Sequence, residues 1–127
     1  MINFLSKYKF IFHLANIVLI FIYLFPGSLL GCIINHNCKV QPQLTSDYIV
    51  SSNHFYAFFI LSVIGFFTYK NLKLLLVYLI LLSIFLEILH SIIPNRSFEM
   101  MDLFGNLMGV VAVMILNFCF NYEKFKN

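Results

Sequence analysis

Ionisable side chains are scarce in this chain, and those able to do chemistry are gathered together. From residue 87 to residue 109 the sequence reads EILHSIIPNRSFEMMDLFGNLMG, which brings Glu87, His90, Arg96, Glu99, Asp102 and Asn106 into one stretch. An ionisable group inside or at the edge of an apolar helix is costly unless paired or wetted, so such a group is a functional candidate by default. A carboxylate as deep as Glu87 must be paired or must hold a proton readily, and the second kind serves as acid or base. Glu87 is therefore the candidate catalytic residue. Arg96 keeps its charge, and its planar fork suits two roles: a staple across Glu87, Glu99 and Asp102, or a grip on the phosphate or carboxylate of a ligand. Glu87-x-x-His90 has the i, i+3 spacing of a di-metal helix motif, but a second copy is missing and His13, His36 and His54 are scattered. The expectation is no metal and no cofactor. No spacing supports a Ser-His-acid triad.

The elements that must position these groups are membrane helices. Hydrophobic residues make up 61% of the 127 and charged residues 10%, against roughly one-quarter charged in soluble domains. Mean hydropathy is +0.92. A crossing takes about 20 apolar residues, which allows four spans, at about 8–25, 52–69, 72–93 and 101–120, in a single all-α bundle covering 1–127. Residues 26–53 read as a loop, and Lys70-Asn71-Leu72-Lys73 as a tight turn. A net charge of +3 without a basic tract excludes nucleic acid as a partner. Lys7, Lys9, Lys70, Lys73, Lys124 and Lys126 fall at one set of helix ends, Lys39 and Arg96 at the other. By the positive-inside rule both termini are cytoplasmic, and the polar cluster lies at the outer face.

Ser83, Glu87 and His90 share one helix face, as do Asp102, Gly105, Asn106, Gly109 and Asn117. Glu87 and Asn106 each sit on the order of 10 Å below the connecting turn, so they can meet across it. Gly105-x-x-x-Gly109 suits close helix packing. Ser97 is placed to cap the last helix. His13 reads as a partner of Asn16, His54 as an interface residue, and Cys119 as inert buried packing. Cys32 and Cys38 stand in the outer loop, where a disulfide and two free thiols are both open. Leu29-Leu30-Gly31-Cys32 has some likeness to a lipobox, but a retained first helix is the expectation.

The stretch from Glu87 to Gly109 resembles the VanZ-like family, known for a member associated with teicoplanin resistance. That family's signature runs Glu-x-x-Gln, then Arg, then Asp-x-x-x-Asn-x-x-Gly; here these places are Glu87, His90, Arg96, Asp102, Asn106 and Gly109. Tyr23-Leu24-Phe25-Pro26-Gly27 and His54-Phe55 resemble the family's first-helix end and the start of its next helix. His90 stands where Gln is usual, and Val50-Ser51 where Asp-Lys is common. The resemblance implies a bacterial inner-membrane protein of the cell envelope. The expected function is noncatalytic binding of a lipid or cell-wall-precursor headgroup by Glu87, His90, Arg96, Asp102, Asn106 and His54, with lowered glycopeptide susceptibility as a consequence. An intramembrane enzyme acting on an envelope lipid and a small accessory subunit are the alternatives, and a homo-oligomer or a membrane-protein partner stays open.

Overall fold

The computed structural model describes the backbone of residues 2–126 and the side chains of residues 7–122. Lys124 and Lys126, on which the orientation partly rests, have side chains outside that range. Every regular element among the described residues is helical: α1 (Ile2–Leu24), α2 (Leu29–Ile34), α3 (Ser52–Thr68), α4 (Leu72–His90) and α5 (Met100–Lys126). Lys7–Leu24, Leu72–His90 and Met100–Tyr122 are long and apolar enough to cross a membrane, while α3 is apolar but shorter. A helix satisfies its own backbone, which is why apolar segments surrounded by hydrocarbon take this form. Their outward faces carry large apolar side chains such as Ile17, Phe21, Leu74, Phe85 and Phe118, all exposed on the bundle surface. Apolar residues on every side of a helix mark an apolar solvent rather than a water-facing surface.

Inside, Phe12, Leu19, Tyr23, Phe58, Leu61, Leu75, Leu79, Leu86 and Val110 form one core. The most extensive helix pair is α3 with α5, and glycine makes it possible. A Cβ on Gly109 would stand 2.5 Å from the Phe55 carbonyl oxygen and 2.8 Å from the Phe59 nitrogen, and one on Gly105 would stand 2.6 Å from the Ser51 carbonyl. Backbone meets backbone there, so the neighbours cannot yield as a flexible side chain would.

The helix ends explain where the sequence expectation and the structure differ. The 26–53 segment is not all loop, because Ser28 caps α2 by accepting the Gly31 N–H at 2.9 Å. Gly27, with φ +93°, turns the chain out of α1; a side chain there is disfavoured both by that φ and by the Cys38 carbonyl alongside. The third apolar segment stops at His90 rather than residue 93, since the N–H groups of Ser91 and Ile92 fold back onto Ile88 and Leu89 ahead of Pro94. Ser97 does not cap α5; its hydroxyl lies 3.2 Å from the Glu99 carboxylate. His13 and Asn16 do not pair with each other but with tyrosines, Tyr69 just past the end of α3 and Tyr78 on α4 respectively. Cys119 is exposed on the outer surface of α5, not buried. Helical phase alone does not say which apolar face meets a neighbour when all faces are apolar.

Residues 35–51 are bound down over the start of α3. Leu44 N–H donates to the Asn53 side chain at 3.0 Å, Asn53 donates back to the Pro42 carbonyl at 2.7 Å, and Ser52 N–H donates to Asp47 at 2.8 Å. Cys32 and Cys38 are disulfide-bonded at the base of this strap. Closing so short a loop contributes about 2 kcal/mol through the unfolded chain. Cys32→Ser with Cys38→Ser is therefore expected to lower stability by about that amount in a detergent melt. Equal melting of oxidised and thiol-free chains would deny the bond a structural role.

Candidate functional site

The C-terminal ends of α1 and α4 and the starts of α3 and α5 meet around a nucleus of polar side chains. Glu87, His90 and Asn106 are 0–1% exposed, a burial that residues of this kind tolerate only when they are paired. Glu87 and His90 lie one turn apart on α4, the separation that places two side chains on one face. The Glu87 Oε2 lies 3.3 Å from His90 Nδ1, and Oε1 accepts the Glu99 N–H at 3.1 Å. One carboxylate thus holds the end of α4 to the backbone that opens α5.

The other face comes from α3 and α5. His54 Nε2 lies 3.4 Å from Asp102 Oδ2, and its Nδ1 lies 3.2 Å from Asn106 Oδ1. The Tyr23 hydroxyl donates to that same Asn106 oxygen at 2.6 Å. Tyr23 joins the two halves in a second way, because its backbone carbonyl accepts from His90 Nε2 at 3.0 Å. Its ring stacks on His90 at 5.7 Å and meets His54 edge-on at 5.0 Å.

These contacts set both imidazole tautomers. A carbonyl oxygen only accepts, so His90 must carry its proton on Nε2, and by the same logic His54 carries one on Nδ1. The remaining nitrogens, His90 Nδ1 and His54 Nε2, then face carboxylates.

Arg96 corrects the sequence expectation most. No Arg96 contact with a carboxylate is within ion-pair distance among the described residues. Its Nε donates to the Phe25 carbonyl at 3.2 Å and Nη2 to the Ile22 carbonyl at 3.1 Å. These are carbonyls at the C-terminal end of α1, which have no helical partner and favour a cation. Burial lowers the Arg96 pKa, and Asp102 and Glu87 oppose that shift; the guanidinium stays charged. Nη1 makes no hydrogen bond among the described residues, and Arg96 lines the cavity above.

That cavity, about 450 Å³, is roofed by the 26–53 segment and walled by α1, α3 and the turn before α5; His54, His90, Arg96 and Asp102 line its floor, with Lys39 and Gln43 above. Glu87 and Asn106 do not line it but touch His90 and His54, which do. A larger and mainly apolar hollow, between the strap and the faces of α3 and α5, meets it at Tyr56 and is lined by Ile49, Phe55, Phe104 and Met108. No protein family, curated protein or solved structure matches this chain.

Of the residues singled out in the sequence, Glu87, His90, His54, Asp102 and Asn106 come together directly, and Arg96 lines the same cavity from one side. Gly105 and Gly109 hold the helix pair that carries Asp102 and Asn106. The residue missed as a hub was Tyr23. A hydroxyl-bearing aromatic at the polar end of an apolar helix was the available signal, and it was ambiguous because Tyr also favours membrane interfaces.

Proposed function

We propose that this chain is a multi-pass membrane protein whose polar cavity receives the headgroup of a membrane lipid or lipid-linked precursor. The observation that carries this reading is a cavity lined by charged and amide side chains at one end of helices long and apolar enough for a bilayer. The adjoining apolar hollow at Tyr56 gives a place for acyl chain beside it. Arg96, with Nη1 uncommitted, is the group placed to meet a phosphate or carboxylate. Resemblance to the VanZ-like family supports the setting: a bacterial inner membrane, a cell-envelope ligand and lowered glycopeptide susceptibility when the chain is expressed.

In this reading α3 is a fourth span, both termini are cytoplasmic and the cavity opens outward. A single cysteine at Gln43, in a Cys119→Ser chain, is expected to react with an impermeant thiol reagent in whole cells, and one at Asn127 to be protected. The reverse pattern overturns the orientation.

Arg96→Lys is the discriminating substitution. It retains the charge but not the fork, so one α1 carbonyl loses its donor at a cost of about 1 kcal/mol. The chain is expected to remain folded while copurifying lipid, identified by mass spectrometry, falls. Wild-type lipid retention in Arg96→Lys would sink the headgroup reading.

A second reading is favoured by the His54–Asp102 and Glu87–His90 pairs, since imidazole and carboxyl groups are the side chains that most often act as general acid and base. Turnover of the copurified lipid, lost in Glu87→Gln with retention intact, would replace binding by catalysis.

A further inference from the structure

The polar nucleus has too many acceptors. His54 Nδ1 and His90 Nε2 spend their protons on Asn106 and on the Tyr23 carbonyl, so in the neutral imidazoles His54 Nε2 and His90 Nδ1 turn lone pairs toward Asp102 and Glu87. A lone pair facing a carboxylate at 3.4 Å, as that of His54 Nε2 faces Asp102, is repelled unless something positive lies between them. Neither Arg96 nor Lys39 supplies it. Arg96 spends Nε and Nη2 on α1 carbonyls, and the cavity's acids, Asp47, Glu99 and Asp102, outnumber its Lys39 and Arg96 even before the buried Glu87 is added. Glu87 Oε2 is moreover fully buried and makes no hydrogen bond.

We propose that His54, Glu87 and Asp102 bind one divalent transition-metal ion, of the zinc or manganese class. One ligand atom from each lies within 4.8 Å of the other two. A tetrahedral ion with bonds of 2.0–2.2 Å spaces its ligand atoms roughly 3.3 to 3.6 Å apart. The His54 Nε2 to Asp102 Oδ2 separation of 3.4 Å is already of that size; the two remaining edges, both to Glu87, are at most 4.8 Å and shorten when the ion binds. Asn106 stands where metal sites place an outer partner, on the ring nitrogen opposite the ligating one, which fixes the tautomer and orients the ring. Tyr23 in turn pins Asn106. His54 and Asp102 keep 13% and 19% of their side-chain surface open, and that side faces the cavity. The fourth coordination position therefore opens to it. There the ion polarises a phosphoryl or carboxyl oxygen, a role that rests on the headgroup reading, whereas ion binding does not.

The test uses the full chain, purified without a histidine tag, loaded separately with Zn²⁺ and Mn²⁺, desalted and measured for metal per protein by mass spectrometry. Wild type is expected to retain about one ion per chain. His54→Gln and Asp102→Asn should each lose it, and Asn106→Ala should weaken it by roughly tenfold or more. His36→Asn, which changes a histidine in the loop, should bind as wild type does. X-ray absorption of the loaded wild type should show nitrogen and oxygen ligands at about 2.0–2.2 Å, a result that stands even where a variant fails to fold. No retained ion in the wild type would mean that protons, one in each pair, neutralise the nucleus, and the proposal would fail. Retention unchanged in folded His54→Gln and Asp102→Asn, or loss in His36→Asn alone, would overturn it equally. Lipid retention is a separate readout, so the fate of the headgroup reading is independent of this result.

Discussion

Gly109→Leu is expected to keep the bundle from assembling, and even Gly109→Ala to weaken it. In an isolated helix, alanine is favoured over glycine by about 1 kcal/mol, so propensity alone predicts that Gly109→Ala stabilises. The packing predicts the opposite, because the new methyl carbon would fall 2.5 Å from the Phe55 carbonyl oxygen and 2.8 Å from the Phe59 nitrogen. To make room, α3 and α5 must separate along their most extensive contact. Overpacking of this kind costs about 1–3 kcal/mol and at times more. Leucine at this position is expected at or above the upper end. Ala112→Leu, one turn away at a half-buried position, should change stability little. Thermal unfolding followed by circular dichroism, with size-exclusion profiles in one detergent, gives the comparison. A Gly109→Ala chain more stable than wild type would refute the backbone contact, and with it the positions of Asp102 and Asn106 on α5.

Glu87→Leu is expected to be the most damaging single change in the polar nucleus, while Glu87→Gln should be tolerated. Leucine matches much of the volume but leaves the Glu99 N–H without its acceptor. A desolvated donor left without an acceptor costs about 1–3 kcal/mol. Glutamine keeps a carbonyl oxygen for Glu99 and turns an N–H toward the lone pair of His90, so the loss should be about 1 kcal/mol or less. The contrast separates hydrogen-bond satisfaction from charge. If Glu87→Gln unfolds as readily as Glu87→Leu in a denaturant melt, the nucleus depends on the negative charge itself, and the tautomer assignment for His90 is wrong.

Much of this protein is legible in its amino-acid sequence. A chain with 61% hydrophobic and 10% charged residues cannot cover itself with polar surface, so an all-helical body with helices of bilayer length follows from composition. Helical phase then aligns Glu87 with His90, and Asp102 with Gly105, Asn106 and Gly109, because i, i+3 and i, i+4 neighbours share a face whatever the fold around them. The 3.3 Å approach of Glu87 to His90 is local in this sense.

What the sequence does not determine is the pairing between helices. His54 lies 48 residues from Asp102, by subtraction of their numbers, and nothing in its surroundings says that α3 delivers it to that carboxylate. Only the glycine-mediated approach of α3 to α5 does so. Arg96 shows the same limit. Nearby carboxylates made a staple the natural expectation, but in three dimensions the end of α1 lies closer, and its unpaired carbonyls take the guanidinium. Tyr23 is the extreme case: its hydroxyl reaches a residue 83 positions away and its carbonyl one 67 away. Such contacts depend on how apolar helices rotate and cross. With apolar residues on every face, the rotation of each helix is decided by side-chain shape and by burial of a few polar groups, and those terms exist only once the helices have met.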